Sequence, residues 1–313
     1  MLIEDVKILP LVNDWKPAND LTINSGINVI ESGRYLDNIK RPDKFYCGIY
    51  RPKADWRPAR PDELIKLLGI TAESDLANTV CLIEIPKDFS SRFYELKLDQ
   101  MSISPTHWDE KMKADFPAFT TEVKAWLEEE VFDEFLMCSA FVNFTRPGLD
   151  TTTFDLSQNR YRGLHIDNWG TPPRNALERD ACGIRVCINL GFEQRDLVFI
   201  NLRLKSFLDL LSTRREPGGV TELYGETYAQ PLAEDFLNEC KDYPVLKVSL
   251  KPCQGYIGPV QNIIHDGYSL LKRMVDVNLQ LSANEFRYHA NFVSNALHKG
   301  AKVASPSSAS LRS

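Results

Sequence analysis

A histidine and an aspartate stand two positions apart in RGLHIDNWG (162–170). Side chains along a β-strand alternate between its two faces, so His165 and Asp167 would point one way and Ile166 the other. An imidazole beside a carboxylate is either a satisfied buried polar pair or two of the protein ligands of a metal ion. The stretch therefore suggests a metal site that needs a third ligand.

Among the five histidines, His265 is the best candidate for that ligand. It follows an apolar run in QNIIHDG (261–267) and stands directly before an Asp-Gly turn signal. Two imidazoles and one carboxylate on one face of an iron ion leave three adjacent coordination positions free. We therefore predict a metal site made by His165, Asp167 and His265.

Two basic residues, Lys272 and Arg273, follow in SLLKRMVDVNLQL (269–281). The alternating apolar residues from Val275 to Leu281 predict one face of a strand, and Arg273 is in phase with them. A buried guanidinium is costly unless an anion pairs with it. Arg273 is thus predicted either to bind an anionic ligand inside a barrel or to form a structural pair with an Asp or Glu.

The set His165-x-Asp167, then His265, then a basic residue about one strand further on resembles the iron(II)- and 2-oxoglutarate-dependent dioxygenase superfamily. The resemblance implies a double-stranded β-helix, which is a cupin-like jelly-roll barrel, over about 136–285. It also implies that the triad binds iron(II) and that Arg273 pairs with the distal carboxylate of 2-oxoglutarate. Because Arg273 follows His265 at a short spacing for this family, Lys272 is the reserve candidate. The subfamily is not identified.

The resemblance further implies an oxidoreductase that consumes 2-oxoglutarate and O2 and releases succinate. The expected substrate is a small, amino-acid-like biosynthetic molecule, and the expected outcome is hydroxylation, desaturation or oxidative cyclisation. Asp167 disfavours halogenation, because a chloride takes the place of this carboxylate in related halogenases. Two alternatives stay open: a cupin-like metal-dependent enzyme without redox chemistry, and a non-enzymatic ligand-binding barrel.

Five further residues are candidates for ligand contacts. In CGIRVCINLG (182–191), Arg185 and Asn189 lie opposite the apolar face, so they either contact 2-oxoglutarate or substrate in a polar interior or face solvent. Asn143 and Arg146 in FVNFTRPG (141–148) are candidate substrate contacts. Trp169 is another, with a place in the hydrophobic core as its alternative.

The elements that would position these residues are mostly short strands. Alternating or apolar runs predict strands at 78–86, 138–148, 182–192, 195–204, 243–255, 256–267 and 268–282. Helical spacing predicts helices at 119–137, 205–213 and 228–241. Many short strands with similar spacing favour an antiparallel sandwich or a jelly roll.

We therefore predict a mainly β fold with flanking helices and one catalytic domain over 1–298. An N-terminal extension with helical support would occupy about 1–137, and the jelly-roll core about 138–285. The small, polar and basic residues of 299–313 predict a disordered tail.

Composition disfavours several other classes of protein. The net charge of −6 disfavours a nucleic-acid partner, and no apolar run is long enough to span a membrane. The seven cysteines include no Cys-x-x-Cys, which favours free thiols in a reducing compartment. No dinucleotide-binding, P-loop or serine-hydrolase motif is present in the sequence. We expect a cytoplasmic protein with a small-molecule substrate, and the oligomeric state stays open.

Overall fold

The computed structural model describes residues 2–30, 33–34, 45–46, 49–70, 72–102, 110–155, 160–168, 176–214 and 229–304. These ranges form mainly β-sheets with flanking helices, so the predicted fold class is confirmed at this level. Strands and helices are numbered in chain order.

The major sheet contains six strands within the described ranges. In spatial order they are β1 (Lys7–Pro10), β8 (Thr79–Glu84), β15 (Gln254–Gly258), β12 (Ile184–Asn189), β17 (Asp276–Tyr288) and β9 (Phe132–Thr145). β1 and β8 run parallel, and all other neighbours run antiparallel. β9 and β17 form a long ladder that extends from the Thr145–Asp276 pair to the Phe132–Tyr288 pair.

The minor sheet is antiparallel throughout the part that the structure describes. Its order is β16 (Ile263–Tyr268), β13 (Arg195–Arg203), β14 (Leu246–Leu250), β2 (Leu21–Ile23) and β7 (Arg57–Pro58). Short strands pair separately as β3 (Ile27–Ile30) with β6 (Ile49–Pro52), β4 (Gly33–Arg34) with β5 (Phe45–Tyr46), and β10 (Phe154–Asp155) with β11 (Arg160–Tyr161). Both sheets therefore contain strands from the segment predicted as an N-terminal extension.

The helices are α1 (Pro17–Asp20), α2 (Pro61–Leu67), α3 (Lys87–Glu95), α4 (Glu110–Glu130), α5 (Leu204–Arg214), α6 (Ala229–Glu239) and α7 (Ala290–Ala304). Short 3₁₀ helices span Glu73–Asn78, Leu98–Ser102 and Ala176–Ala181. α2 begins at Pro61, where the missing N–H would have had no helical partner, and Glu63 Oε2 accepts the backbone N–H of Arg60 at 2.8 Å. Within the described ranges, none of the helices combines the length and apolar composition that crossing a membrane requires.

The two sheets pack against each other, and helices cover their outer faces. Cys187 and Tyr256 from the major sheet share one buried cluster with Leu197 and Phe199 from the minor sheet. A second cluster joins the outer face of the major sheet to α3, α4 and α7, and a third joins the minor sheet to α5 and α6. Burying one large apolar side chain contributes about 1.5–3 kcal/mol, so these layers account for much of the driving force for folding.

The alternation along β17 decides which of its side chains reach the space between the sheets. Val277, Leu279 and Leu281 pack in the cluster beneath the helices, so Asn278 and Gln280 point to the opposite face, toward the minor sheet. The prediction that the apolar face of this strand lines the interior is therefore wrong. That apolar face packs against the helices, and polar residues line the space between the sheets.

Two predicted boundaries also need correction. Residues 132–137 continue β9 rather than the helix predicted to end at 137, because the ladder with β17 extends to Phe132. α7 extends to Ala304, so 299–304 are helical and not part of a disordered tail. Residues 305–313 lie outside the described ranges, and the single-domain organisation over 1–298 stays a prediction.

Candidate metal centre

The structure brings the three predicted ligands together. The segment that contains His165 runs antiparallel to β16, because the N–H of His165 donates to the carbonyl of His265 at 3.1 Å and the reverse bond is 2.8 Å. Nε2 of His165 lies 3.4 Å from Asp167 Oδ1, and Nε2 of His265 lies 3.7 Å from Asp167 Oδ2. One possible donor atom from each residue lies within 4.8 Å of the other two, a spacing that allows all three to ligate one ion.

Backbone carbonyls orient both imidazoles. His165 Nδ1 lies 2.8 Å from the carbonyl oxygen of Gly163, and His265 Nδ1 lies 3.3 Å from that of Ile263. An N–H at each Nδ1 would donate to its carbonyl and leave the lone pair of Nε2 directed toward Asp167. This is the tautomer and orientation that a metal-binding histidine requires.

Gly163 is a backbone position that a larger residue would disturb. Its φ is +73°, and a Cβ added there would lie 2.2 Å from the carbonyl oxygen of Tyr50. The absence of a side chain lets β6 approach closely, and the backbone N–H of Leu164 donates to that same oxygen at 2.8 Å. The glycine therefore allows both the turn and the contact that place His165.

The charges of the site match a cation-binding role. Burial alone would raise the pKa of the Asp167 carboxyl, but Arg185 and the two imidazoles hold that pKa well below its ordinary value. Burial lowers the pKa of His265 to about 3. For His165, burial also acts to lower the pKa, but the contact with Asp167 leaves it above the ordinary value. Asp167 is therefore ionised and His265 neutral, the forms that coordinate a metal.

The carboxylate of Asp167 also fits a metal ligand in its hydrogen bonding. Arg185 Nη1 forms an ion pair with Oδ2 at 2.6 Å, and Oδ2 is buried with no hydrogen bond among the described residues. Buried carboxylate oxygens usually accept hydrogen bonds. A divalent ion held by the two Nε2 atoms and this carboxylate would add a second positive partner beside Arg185. The residues present therefore fit a metal ion.

A cavity of about 590 Å³ opens beside the triad. Its walls include Asn143, Arg146 and Arg185, three of the residues predicted to contact ligands, and also Gln280 on β17 and Tyr256 on β15. The polar faces of β9, β12, β15 and β17 thus form one side of the cavity, and β16 with its neighbours forms the other. The volume suits a small organic molecule.

Two other predicted contact residues are not among the described residues that line this cavity. The Asn189 side chain donates to the carbonyls of Glu193 and Leu250 at 2.9 and 3.1 Å and accepts the N–H of Gly191 at 3.0 Å. It therefore shapes the connection between β12 and β13. Trp169 lies outside the described ranges, so its predicted substrate contact stays a prediction.

Arg273 does not lie at the triad. It precedes the first residue of β17, its residue surface is exposed, and its backbone N–H donates to Glu193 Oε2 at 2.9 Å. The expected inward orientation of Arg273 is therefore wrong. Lys272, the reserve candidate, has a buried side chain whose Nζ lies 2.6 Å from Asp276 Oδ1.

Arg195 also lines the cavity, although no pattern in the sequence indicated it. Its side chain is 5% exposed, Nη1 pairs with Asp276 Oδ2, and its buried Nε has no hydrogen-bond partner among the described residues. Burial alone would lower the pKa of Arg195, but Asp276 raises it, so the guanidinium stays charged. β13 is buried on both faces, so no alternation in its sequence distinguishes this inward residue from its neighbours.

A second cavity of about 650 Å³ lies on the helical side of the major sheet. Its walls include Trp126 and Glu129 of α4 and Phe292 of α7. None of the three candidate ligands lines it. We therefore do not assign it to the metal site, although its volume is larger than that of the first cavity.

Comparisons with known proteins add one structural likeness. No protein-family model matches the chain, and no curated protein matches it. The solved structures that it resembles include the Kdo hydroxylase KdoO, a non-heme Fe(II) alphaketoglutarate dependent dioxygenase, in complex with succinate and Fe(III). The TM-score is 0.38 at 11% identity, and the match covers 72% of this chain and 85% of the hydroxylase.

Proposed function

We propose that this chain is an iron(II)- and 2-oxoglutarate-dependent oxygenase that oxidises a small molecule. The observation that supports this most directly is the convergence of His165, Asp167 and His265 at one wall of a cavity. Two imidazoles and a carboxylate leave the remaining positions of an ion open toward that cavity. Bound iron(II) would supply O2 activation coupled to the decarboxylation of 2-oxoglutarate to succinate.

The strand order of the described residues supports the jelly-roll core that this proposal includes. Counting from β9 and taking the His165 segment as the second strand, the major sheet contains the first, eighth, third and sixth strands as neighbours. The second, seventh, fourth and fifth are neighbours on the other side. With the short strands β10 and β11 left out of the count, this order agrees with the one expected for a jelly roll, in which two Greek keys fold over each other.

Within this proposal, Arg195 rather than Arg273 pairs with the distal carboxylate of 2-oxoglutarate. The Arg195 guanidinium lies beside Gly267, two residues beyond His265 on β16, where a Cβ would lie 3.2 Å from Nη2. A planar guanidinium with an unused buried N–H is suited to charge-assisted bonding to a carboxylate. Such a partner would also satisfy Nε.

A neighbouring ion pair holds this arginine in place. Asp276 accepts from Arg195 through Oδ2 and from Lys272 Nζ through Oδ1. Two positive side chains thus share one carboxylate, and the group keeps an excess of positive charge next to the cavity. That excess favours an anionic end of a ligand at this position.

The proposal leaves the reaction outcome as hydroxylation, desaturation or oxidative cyclisation of a small, amino-acid-like molecule. His165, Asp167 and His265 would hold the iron, and Arg185 would contact the ligands bound there. Asn143 and Arg146 line the cavity wall, and in this proposal they would contact the substrate. We also place the protein in the cytoplasm, because the six cysteines in the described ranges are free.

The test is an anaerobic titration of the metal-free full-length chain with Fe(II), followed by addition of 2-oxoglutarate and then O2. We expect one iron per chain, a charge-transfer absorption band when 2-oxoglutarate binds, and succinate release when O2 is admitted. A screen of metabolites for stimulated succinate release would then identify the substrate class.

His265→Ala should abolish iron binding and turnover while circular dichroism stays native-like. His289→Ala is the matched control, because His289 lies away from the triad and contacts Asp133 and the carbonyl of Glu128. Metal binding without O2 consumption would indicate a non-redox metal enzyme. Absence of metal binding by the wild type would indicate a ligand-binding barrel.

A further inference from the structure

Arg179 is a buried arginine in the 3₁₀ helix that precedes β12. Its residue surface is 1% exposed, and by volume it is the largest of the fully buried side chains among the described residues. A buried guanidinium is costly to desolvate, and an apolar residue of similar volume would avoid that cost. The contacts of this side chain must therefore explain why an arginine occupies the position.

Its hydrogen bonds reach both chain segments that contain the candidate metal ligands. Nη1 donates to the carbonyl oxygen of Asp167 at 3.2 Å, and Nη2 donates to Asn168 Oδ1 at 2.6 Å. Nη1 also donates to the carbonyl of Gln261 at 3.3 Å, four residues before His265. One side chain thus connects the segment of the first two ligands to the segment of the third.

We propose that Arg179 is a positioning residue that holds Asp167 in place for metal binding. This inference rests on the proposed function, because it takes Asp167 as an iron ligand. The two imidazoles are already fixed by the mutual backbone bonds of their residues. The backbone of Asp167 is held differently. Its N–H donates to the carbonyl oxygen of Val260 at 3.2 Å, and its carbonyl oxygen accepts a hydrogen bond from Nη1 of Arg179.

The guanidinium reaches its acceptors through two nitrogens. Nη1 alone connects Asp167 with Gln261, and Nη2 adds the bond to Asn168. The single nitrogen of a lysine could keep part of this connection but not all three acceptors, whereas a methionine could donate to none of them. Without the connection, Asp167 would keep the bond from its N–H to Val260 and lose the bond at its carbonyl, and the entropy lost in ordering its carboxylate would then oppose metal binding.

The experiment compares Arg179→Lys and Arg179→Met with Arg203→Lys in the full-length chain. Arg203 contacts the same short helix through Asp180 and also pairs with Asp5, which is not a candidate ligand. Anaerobic calorimetry with Fe(II), and with Co(II) as a spectroscopic probe, gives the metal dissociation constants. Thermal unfolding of the metal-free proteins gives their stabilities.

We expect Arg179→Met to bind Fe(II) and Co(II) about 10–100-fold more weakly than the wild type, and Arg179→Lys to show a smaller loss in the same direction. Their Co(II) absorption spectrum should also change, because the carboxylate ligand is displaced. Arg203→Lys should keep the wild-type affinity and spectrum. A lower melting temperature with unchanged metal affinity and spectrum in the Arg179 variants would overturn the inference, because it would indicate a purely structural role.

Asn168→Ala tests the same connection if the Arg179 variants do not fold. It removes the acceptor of Nη2, which orients the guanidinium whose Nη1 donates to the Asp167 carbonyl, so the hold on Asp167 should loosen. A weaker Co(II) affinity in a folded Asn168→Ala protein supports the inference, and an unchanged affinity overturns it. Absence of metal binding by the wild type would instead overturn the proposed function itself, and this inference with it.

Discussion

Each imidazole of the candidate metal centre is held by a carbonyl two residues earlier in its own chain segment, Gly163 for His165 and Ile263 for His265. With Nδ1 as the donor, Nε2 needs no change of tautomer to accept a cation. The ring centroids are 4.8 Å apart, and Asp167 lies beside both rings. The site is therefore ordered for metal binding by residues that do not touch the metal.

Replacing Arg195 with alanine tests the assignment of the 2-oxoglutarate contact. A buried carboxylate left without its partner costs about 2–5 kcal/mol, and each 1.4 kcal/mol is a factor of about ten in affinity. Arg195→Ala should therefore raise the half-saturating 2-oxoglutarate concentration by a factor of about thirty or more, measured by anaerobic titration. Fe(II) affinity without 2-oxoglutarate should stay the same, because Arg195 is not a ligand.

Arg273→Ala is the matched control for this measurement. Its exposed position and its backbone bond to Glu193 predict no change in 2-oxoglutarate dependence. A large effect at Arg273 with none at Arg195 would contradict the reassignment and favour the original prediction.

Gly163→Ala tests how strongly the backbone beside His165 constrains the site. A non-glycine residue at positive φ costs about 1–3 kcal/mol, and the added Cβ would also meet the Tyr50 carbonyl at 2.2 Å. We expect the free energy of unfolding in urea to fall by more than this strain alone, and Fe(II) affinity to fall with it.

Gly148→Ala provides the comparison for that variant. Gly148 has a φ of +83° with no atom within 4 Å of an added Cβ, so it adds strain without the clash. Equal losses of stability in the two variants would show that the contact with Tyr50 relaxes at no cost.

At the residue scale, the sequence predicted that His165, Asp167 and His265 lie together, because the first two share one short segment and the chain has only five histidines. The Asp-Gly that follows His265, interpreted as a turn signal, lies within β16 and pairs with β13. The role of Arg195 could not be predicted, because it depends on which residues of other strands lie around it. Asp276 is distant in sequence and becomes its partner only through the packing of the two sheets.

At the element scale, the strand β14 places Lys247 next to Trp56, in the loop between β6 and β7, and next to Tyr268 on β16. Its Nζ lies 4.5 Å from the centre of the Trp56 ring and 5.2 Å from that of Tyr268. Burial lowers the pKa of Lys247 from its ordinary value, against the opposing charge of Asp196. The lysine attaches the loop by cation–π contacts, at a cost in desolvation.

This shift predicts a pH dependence of stability with a defined sign. The unfolded lysine keeps its proton up to about pH 10.5, whereas the folded one loses it at lower pH. The contribution of Lys247 to stability should therefore rise as the pH increases from its lowered folded pKa toward 10.5. Denaturant unfolding at several pH values should show this rise in the wild type and not in Lys247→Met.

Lys251→Met serves as the opposite control, because an ion pair with Asp14 raises the pKa of Lys251. Its removal should leave the rise intact. A rise that persists unchanged in Lys247→Met would assign the effect to another group.

At this scale the sequence predicts which side chains of a strand share a face. It does not predict which of the two faces packs against helices. The alternation in β12 and β17 separates polar from apolar residues correctly, yet it does not say which face meets a helix. That depends on α3, α4 and α7, which cover the apolar side. The end of α4 was misplaced for a related reason, since pairing with β17 prevails over helical spacing from Phe132 onward.

At the scale of the whole molecule, removing the metal should lower stability. A ligand that binds only the folded state at a hundred times its dissociation constant stabilises it by about 2.7 kcal/mol. A chelator should therefore lower the melting temperature of the iron-loaded wild type in a calorimeter. His265→Ala should melt at the same temperature with and without the chelator, and a shift in that variant would place the ion elsewhere.

The overall architecture could be predicted only in part. Short strands with regular spacing predict a mainly β protein, and the structure agrees. The first 137 residues were predicted to support a core that follows them, yet β1 and β8 join the major sheet and β2 and β7 join the minor one. Such long-range pairing leaves no local pattern in the sequence.

The pairing of β9 with β17 also determines when, during translation, the protein can complete its fold. Thr145 pairs with Asp276, and Phe132 pairs with Tyr288, so β9 leaves the ribosome long before its partner exists. His165 and Asp167 are likewise translated before His265, the third candidate ligand. Nascent chains would therefore present an unpaired strand with exposed aromatic residues, and the candidate metal site could form only after His265 has been translated.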